Sequence, residues 1–599
     1  MSENRPTLDY GVIGNGRLIA LVAPSGGVEW LCLPRFDSPS IFASLLDPAR
    51  GGHFRIVPAD QRVESSMRYE RNTNVLRTDV RTAEGLYAVY DYAPWVPGIL
   101  RSTSPLELHR LAVPLEGAPR IAIDFDPRPS YGREHPEPIL VAGGLEVPCG
   151  SARVHLRTNV PASWVLSKQP FRLRQPVFLA LSWGRRPEAD TVHAVQERLD
   201  LTVAAWRDWV RSCSLPAFQP EAVLRSALCL KLLQYADTGA IIAAATTSIP
   251  EALGTERTWD YRYCWLRDSA FVVEALRRTG HVAEGEAFVR FLRTVAEEGP
   301  LQPLYGVGGE RQLTERCLED LEGFAGAQPI RIGNAAYKQH QHDVMGEVVL
   351  CLETLLTDPR IADGDQEGAM PLVERLVEEA IRLAPTMDTG LWEYRTEPGF
   401  YTFSQVLCWV AAQRGARLAR LYARPGLADR WQHWADGQRE RVLSEGFNVD
   451  RGCFTQKLNG VHPDASNLLL PVFGFVEPRD PRFLSTLKVY ESTLVDRGLM
   501  LRYRHEDDFG KTTSALTMCS FWWAEMVAMT GELERAIEIF ERLLRHANGL
   551  GLFSEDIDPA TGAMLGNFPQ AYTHVGLVHA AATIGALLEA RDGKFRAWT

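Results

Sequence analysis

The chain has 599 residues, 45% hydrophobic and 23% charged, which is too long for one ordinary core and calls for two or more domains. Its 75 Asp and Glu outnumber its 64 Lys and Arg, for a net charge of −11. With no basic run or tail, that balance argues against a nucleic-acid or anionic-membrane partner.

Residues Met1–Tyr10 lack a cationic leader followed by an apolar core, and no apolar stretch approaches the roughly 18–20 residues of a membrane span. The ten cysteines are widely spaced, mostly in apolar runs such as Leu228-Cys229-Leu230, and none forms Cys-x-x-Cys. They read as small buried hydrophobes rather than zinc ligands. These features together point to a reduced, cytoplasmic protein; the sequence leaves a homodimer open.

Residues 1–190 read as strands and turns. Short apolar or alternating runs at Leu18–Val22, Val75–Val80, Tyr87–Tyr90, Arg120–Phe125, Val154–Leu156 and Val177–Leu181 are separated by Gly and Pro. Many short strands of this kind predict a β-sandwich. From about residue 192 the period changes, and residues 191–216 read as a helical linker. Beyond it, helices are expected near 220–237, 265–279, 282–298, 336–357, 371–384, 402–422, 427–444, 482–496, 513–529, 532–547 and 574–591, with a short one near 466–475. Leu533, Ile537, Phe540 and Leu544 have the spacing of one buried stripe. Gly280, Gly299, Gly531 and Gly549 stand where helix ends want a left-handed residue. Arg278-Thr279-Gly280-His281 and Met529-Thr530-Gly531-Glu532 echo one another as tight helix–helix turns. Eleven or twelve helices paired by short turns predict an (α/α)6 barrel over 217–599, with an α-solenoid as the alternative.

Three segments carry chemistry. Glu393 follows Trp392 with Tyr394 close by, and an aromatic wall raises a carboxyl's pKa, as a general acid requires. The plain alternative is a Glu paired to Arg395. Glu555 lies in an acidic loop with Asp556 and Asp558; a wet loop would keep one carboxylate ionised to serve as a base, or be only a solvated turn. Trp259–Asp268 interleaves aromatics with charge, which suits a sugar's apolar faces and hydroxyl edges. Arg267 and Asp268 together offer donors and a bidentate acceptor for adjacent hydroxyls, unless the segment is only a helix start with core aromatics. Two carboxylates and such a grip are the minimum for hydrolysing a glycosidic bond. His340, His342 and Asp343 resemble metal ligands, but two His at i, i+2 face different sides of a helix, so a structural role is expected and no metal.

Taken in order, these segments resemble glycoside hydrolase family 15, the glucoamylases and bacterial trehalases. Further matching stretches are Tyr10–Gly16, Val28–Ser40, Arg331–Tyr337, Gly390–Arg395 and Leu565–His574, so the likeness spans nearly the whole chain. The resemblance implies an N-terminal β-sandwich, a helical linker and a catalytic (α/α)6 barrel, with inverting, exo-acting hydrolysis of a terminal α-glucosyl unit and no cofactor. It implies Glu393 as general acid and Glu555 as general base. Arg267 and Asp268 would clamp the glucose, with Trp259, Tyr263 and Trp392 lining the pocket and Arg331 and Trp30 at its rim. Gln405 follows Ser404 where relatives commonly carry Lys, which bears on the leaving-group side. The expected substrate is a small α-glucoside, trehalose ahead of malto-oligosaccharides or glucan. A phosphorylase would need only one catalytic carboxylate, and a non-catalytic glucan-binding protein none.

Overall fold

The computed structural model describes residues 7–59, 63–96, 104–361 and 367–593; Met1–Pro6, part of the leader reading, lie outside them. Two antiparallel sheets form the N-terminal third. The first runs, in spatial order, Gly11–Gly14, Ile19–Val22, Gly27–Cys32, His53–Pro58, Arg120–Asp126 and Phe171–Arg172, with Ser40–Phe42 beside Gly27–Cys32. The second runs Ile139–Val141, Gly144–Cys149, Ala152–Thr158, Val177–Trp183, Glu107–Gly117, Gly85–Tyr92, Leu76–Thr82 and Glu64–Tyr69. One apolar layer, drawing Ile13, Phe54 and Ile121 from the first sheet and Val89, Leu156 and Leu179 from the second, lies between them.

The continuous apolar run Val177–Trp183 has a physical reason. Leu179 and Leu181 enter the layer between the sheets, while Phe178 and Ala180 join the larger core with Val195 and Leu199 of the helix Val192–Arg211. A strand buried on both faces loses its alternation. Arg110, fully buried, ties the sheets together: Nε donates to Asp91 Oδ1 at 2.6 Å, one amino group to the Phe54 carbonyl at 2.5 Å, and the other to the Gly26 carbonyl.

The barrel closes. Six inner elements touch in sequence and return to the first: Leu266–Arg278, Asp343–Leu356, Thr402–Leu421, the 3-10 helix Ala465–Leu469, Thr517–Met529 and Ala571–Arg591. Pro220–Leu232, Ala283–Glu297, Met370–Leu383, Pro425–Glu445, Pro481–Leu494 and Leu533–Leu544 pack outside them. This closed ring excludes the solenoid. Inner helices are walled on every side and so read as apolar all round; Thr517–Met529 buries every residue from Thr517 to Ala528. Contrary to the expectation from the sequence, Ala571–Arg591 is long and apolar enough to cross a membrane, but 72% of its apolar window is buried, as its inner position demands.

Three local expectations are corrected. The stripe of Leu533–Leu544 is Leu533, Ala536, Ile539, Phe540 and Leu543, with Ile537 and Leu544 on its flank. Gly280 and Gly531 are left-handed, at φ 99° and 105°, in the two inner-to-outer turns; Gly549 is not. The helix expected over 336–357 is a 3-10 turn Ala335–Lys338 and a helix Asp343–Leu356, because Asp388 accepts the His342 N–H at 3.1 Å and fixes a new start there. All ten cysteines are free, eight of them buried.

Sandwich and barrel are joined through Arg262. Its side chain is fully buried, bidentate to Asp260 at 2.9 and 2.7 Å, and reaches the Ser38 carbonyl and the Tyr131 hydroxyl, both at 2.8 Å. Removing one partner of such a pair leaves an uncompensated buried charge. Arg262→Leu is therefore expected to cost about 3–5 kcal/mol, seen as a clear drop in the apparent unfolding temperature by calorimetry.

Candidate active site

The site begins with the extended run that precedes the first inner helix. Cys264–Trp265 pairs with Leu304–Tyr305, and Thr247 bridges to Asp260. Alternation along this run sends Asp260 and Arg262 toward the sandwich and Trp259 and Tyr261 into a cavity of about 900 Å3, mouth included. The helix then starts at Leu266, which places Arg267 and Asp268 in its first turn on the cavity floor.

Tyr261 and Trp265 meet edge to face with centroids 5.3 Å apart, a favoured aromatic geometry. Their polar tips point at the two glutamates. Trp265 Nε1 donates to Glu393 Oε1 at 2.6 Å, and the Tyr261 hydroxyl donates to Glu555 Oε1 at 2.7 Å. Both glutamates line the same cavity.

Glu393 sits at φ 62°, a left-handed conformation costing a non-glycine residue of order 1 kcal/mol. Its loop is over-determined. Asp388 and Gly399 pair across the base, Tyr394 N–H reaches the Thr389 carbonyl, and the Gln339 amide donates to the Glu393 carbonyl at 3.0 Å. Besides Trp265, Oε1 accepts from Gln341 Nε2 at 3.2 Å and Arg267 at 3.3 Å. Oε2 makes no hydrogen bond to a described residue, and the side chain is 23% exposed. The environment is thus a fork of donors rather than the aromatic wall expected, and Arg395 pairs with Glu315 at 2.9 Å instead of with Glu393.

Glu555 is 1% exposed, which overturns the wet acidic loop. Asp556–Ile557 is the middle strand of a three-stranded sheet between Ala515–Leu516 and Met564–Leu565, and two flanking strands exclude water. The Asn567 N–H donates to Oε2 at 3.3 Å. Burial first, then the Glu251 and Asp556 carboxyls, push the Glu555 carboxyl well above the usual range. Asp556 is pushed up to about 7 by the same burial and by Glu251. On the floor, burial outweighs Arg267 and raises Asp268 to about 6.

Residues 217–582 match the model described as glycosyl hydrolases family 15, and residues 3–170 match one described as trehalase-like, N-terminal. The chain belongs to glycosyl hydrolases family 15. It is 36% identical to a trehalase of Mycobacterium tuberculosis over 97% of this chain and 89% of that one. It is 32% identical to a trehalase of Thermoplasma volcanium over 99% and 96%. A bacterial glucoamylase crystallised with acarbose shares the fold at TM-score 0.69 and 14% identity, covering 98% of this chain and 95% of that one.

Within this family 15 site the remaining sequence candidates divide. Trp259 and Trp392 line the cavity, held through their indole N–H by Glu251 at 2.7 Å and Asp464 at 2.8 Å. Tyr263 does not; it packs behind the wall with Trp265, Leu304 and Leu313. Arg331 stands behind Trp259, its guanidinium 4.5 Å from the ring, and acts on the wall rather than at the rim. Trp30 is buried, its indole N–H on the Ala245 carbonyl at 2.7 Å, at the sandwich–barrel seam. Gln405 faces the outer helix through Gln438 at 2.9 Å, away from the leaving-group side. His340 is exposed and His342 buried, and the described residues contain no group of three or more candidate ligands placed to hold a metal.

Several site residues escaped the sequence reading. Gln339 and Gln341 were hidden inside an expected helix. Tyr261 lies in the Trp259–Asp268 segment but was not singled out there, and Glu251, Arg257, Arg502, Tyr503 and Phe509 line the cavity without forming a recognisable motif. The hairpin Glu506–Lys511 reaches over the mouth. Its Asp507 pairs with Arg257, Asp508 accepts from the Arg395 N–H at 2.6 Å, and Phe509 meets Trp259 edge on at 4.9 Å.

Two predictions follow from this geometry. Trp265→Phe keeps the ring contact with Tyr261 and removes one donor to the Glu393 carboxyl, a hydrogen bond worth about 0.5–1.5 kcal/mol. It should lower kcat roughly two- to tenfold with little change in KM, measured by steady-state kinetics. At Gly566, φ is 73° and an added Cβ would stand 2.7 Å from both Cβ and Oε2 of Glu555. Gly566→Ala should therefore abolish most activity while circular dichroism stays native.

Proposed function

We propose that this family 15 protein is an inverting α,α-trehalase that splits trehalose into two glucose molecules. The observation that carries the reading is that one aromatic pair holds Glu393 and Glu555 at opposite tips within one cavity. Inversion needs carboxyls about 6.5–9.5 Å apart, with room for a water, and this is the separation the reading requires of Glu393 and Glu555. Glu393 acts as the acid: with Oε1 held by three donors, Oε2 carries the proton to the glycosidic oxygen. The C1–O bond breaks as a water attacks C1 from the opposite face and yields its proton to Glu555. The attacked ring leaves as β-glucose and the other as α-glucose. Arg267 and Asp268 clamp hydroxyls of the attacked ring, where hydrogen bonds strengthened in the transition state raise kcat. Trp259 and Trp392 offer it apolar faces.

Trehalose is favoured over a glucan by relatives that are trehalases matched along nearly their whole length. A base with raised proton affinity takes the proton from water more readily, but must first ionise. Activity should therefore fall on acidification with a midpoint above the ordinary glutamate value of about 4.3, read from the pH dependence of kcat/KM. Glu393→Gln and Glu555→Gln should each lower kcat on trehalose by about 10^3-fold or more, the scale on which paired catalytic groups fail. Near-native turnover by either variant would contradict the role assigned to it. Faster cleavage of maltotriose than of trehalose by the unaltered enzyme would move the reading to a glucoamylase-type specificity.

A further inference from the structure

A further cavity carboxylate stands beside Glu555. Glu251 is buried, lines the same cavity, and lies on a loop tied directly to the Glu555 strands, since the Pro250 carbonyl accepts the Gly566 N–H at 2.8 Å. Each of its oxygens has a separate task. Oε1 accepts the Trp259 indole N–H at 2.7 Å, and Oε2 pairs with the Arg502 guanidinium, with Arg257 3.9 Å away. Both arginines also line the cavity, and Arg257 is held in turn by Asp507 and the Gly510 carbonyl of the mouth hairpin.

We propose that Glu251 is a positioning residue for the hydrolysis, fixing Trp259 by a hydrogen bond and Arg502 by a salt bridge beside Glu555. This rests on the reading of Glu555 as the base. The groups facing Glu555 are few. They are Glu251 from the loop after Pro250, Asp556 on its own strand, Arg502 after the strand Leu499–Met500, the Tyr261 hydroxyl and the Asn567 N–H. Arg502 and Arg257 offset the carboxyls, and Arg502 is engaged by Glu251 itself. Glu251 is the largest single charge holding the Glu555 proton on. It therefore adds to burial in raising the pH at which the base becomes available, while its hydrogen bond sets the angle of the aromatic wall.

The two tasks separate experimentally in the pH dependence of kcat/KM on trehalose. Glu251→Gln removes the charge and keeps an acceptor. Its acidic limb should move to lower pH by on the order of one unit. Glu251→Asp keeps the charge, and its limb should stay near that of the unaltered enzyme. Trp259→Phe removes the indole donor without touching any charge, so KM should rise severalfold while the limb stays in place. An acidic limb of Glu251→Gln coincident with the unaltered enzyme would overturn the proposal. So would a limb that moves to lower pH in Trp259→Phe; should Glu251→Gln fail to fold, a limb displaced by about a unit in Glu251→Asp, which keeps the charge, overturns it instead. Glu555→Gln is the control: if it retains turnover, the base assignment itself falls, whereas an inactive Glu555→Gln with an unmoved limb in Glu251→Gln removes only the role of Glu251.

Discussion

The site depends on one stretch of extended chain, Trp259–Asp268, being clamped between two domains. Arg262 and Asp260 form a fully buried pair that reaches the Ser38 carbonyl and Tyr131 of the sandwich. Because side chains alternate along an extended chain, anchoring those two on one side turns Trp259 and Tyr261 to the other. Trp265 then meets Tyr261 edge to face, and that single pair sets both glutamates. The sandwich thus contributes to catalysis without supplying a catalytic group. It holds the back of the strip whose front is the active site.

Electrostatics divides the two carboxylates more than sequence context does. Glu393 is surrounded by donors from Trp265, Gln341 and Arg267, on a loop strained into a left-handed turn and pinned at several points. Glu555 is surrounded by other carboxyls, offset by Arg502 and Arg257, inside a small sheet that excludes water. The environment of Glu555 holds its proton on in the resting site, so the base must ionise before it acts. Fixed donors and fixed charges also spare the site the cost of reorganising during reaction.

The architecture was legible because apolar periodicity and Gly-centred turns report burial directly: alternating runs became the sandwich, and the repeated turns at Gly280 and Gly531 became the inner-to-outer hairpins of the ring. Glu393, Glu555, Arg267, Asp268, Trp259 and Trp392 were legible as motif residues, and all line the cavity. What was lost depended on contacts between distant segments. Tyr263 was read as a pocket residue, but a bend at its position breaks the alternation and turns it behind the wall with Leu304 and Leu313. Gln339 and Gln341 were masked because the helix start at Asp343 is set by Asp388, far along the chain. Glu555 looked solvated because the strands on either side of it come from residues 515–516 and 564–565.

The most direct test of the central claim, that the Tyr261–Trp265 pair holds the two carboxyls on opposite faces of the scissile bond, is proton NMR of the first minutes of trehalose hydrolysis. The account predicts equal α- and β-glucose before mutarotation, one anomer from each half of the sugar. Release of α-glucose alone would mean retention at the attacked carbon and would contradict it.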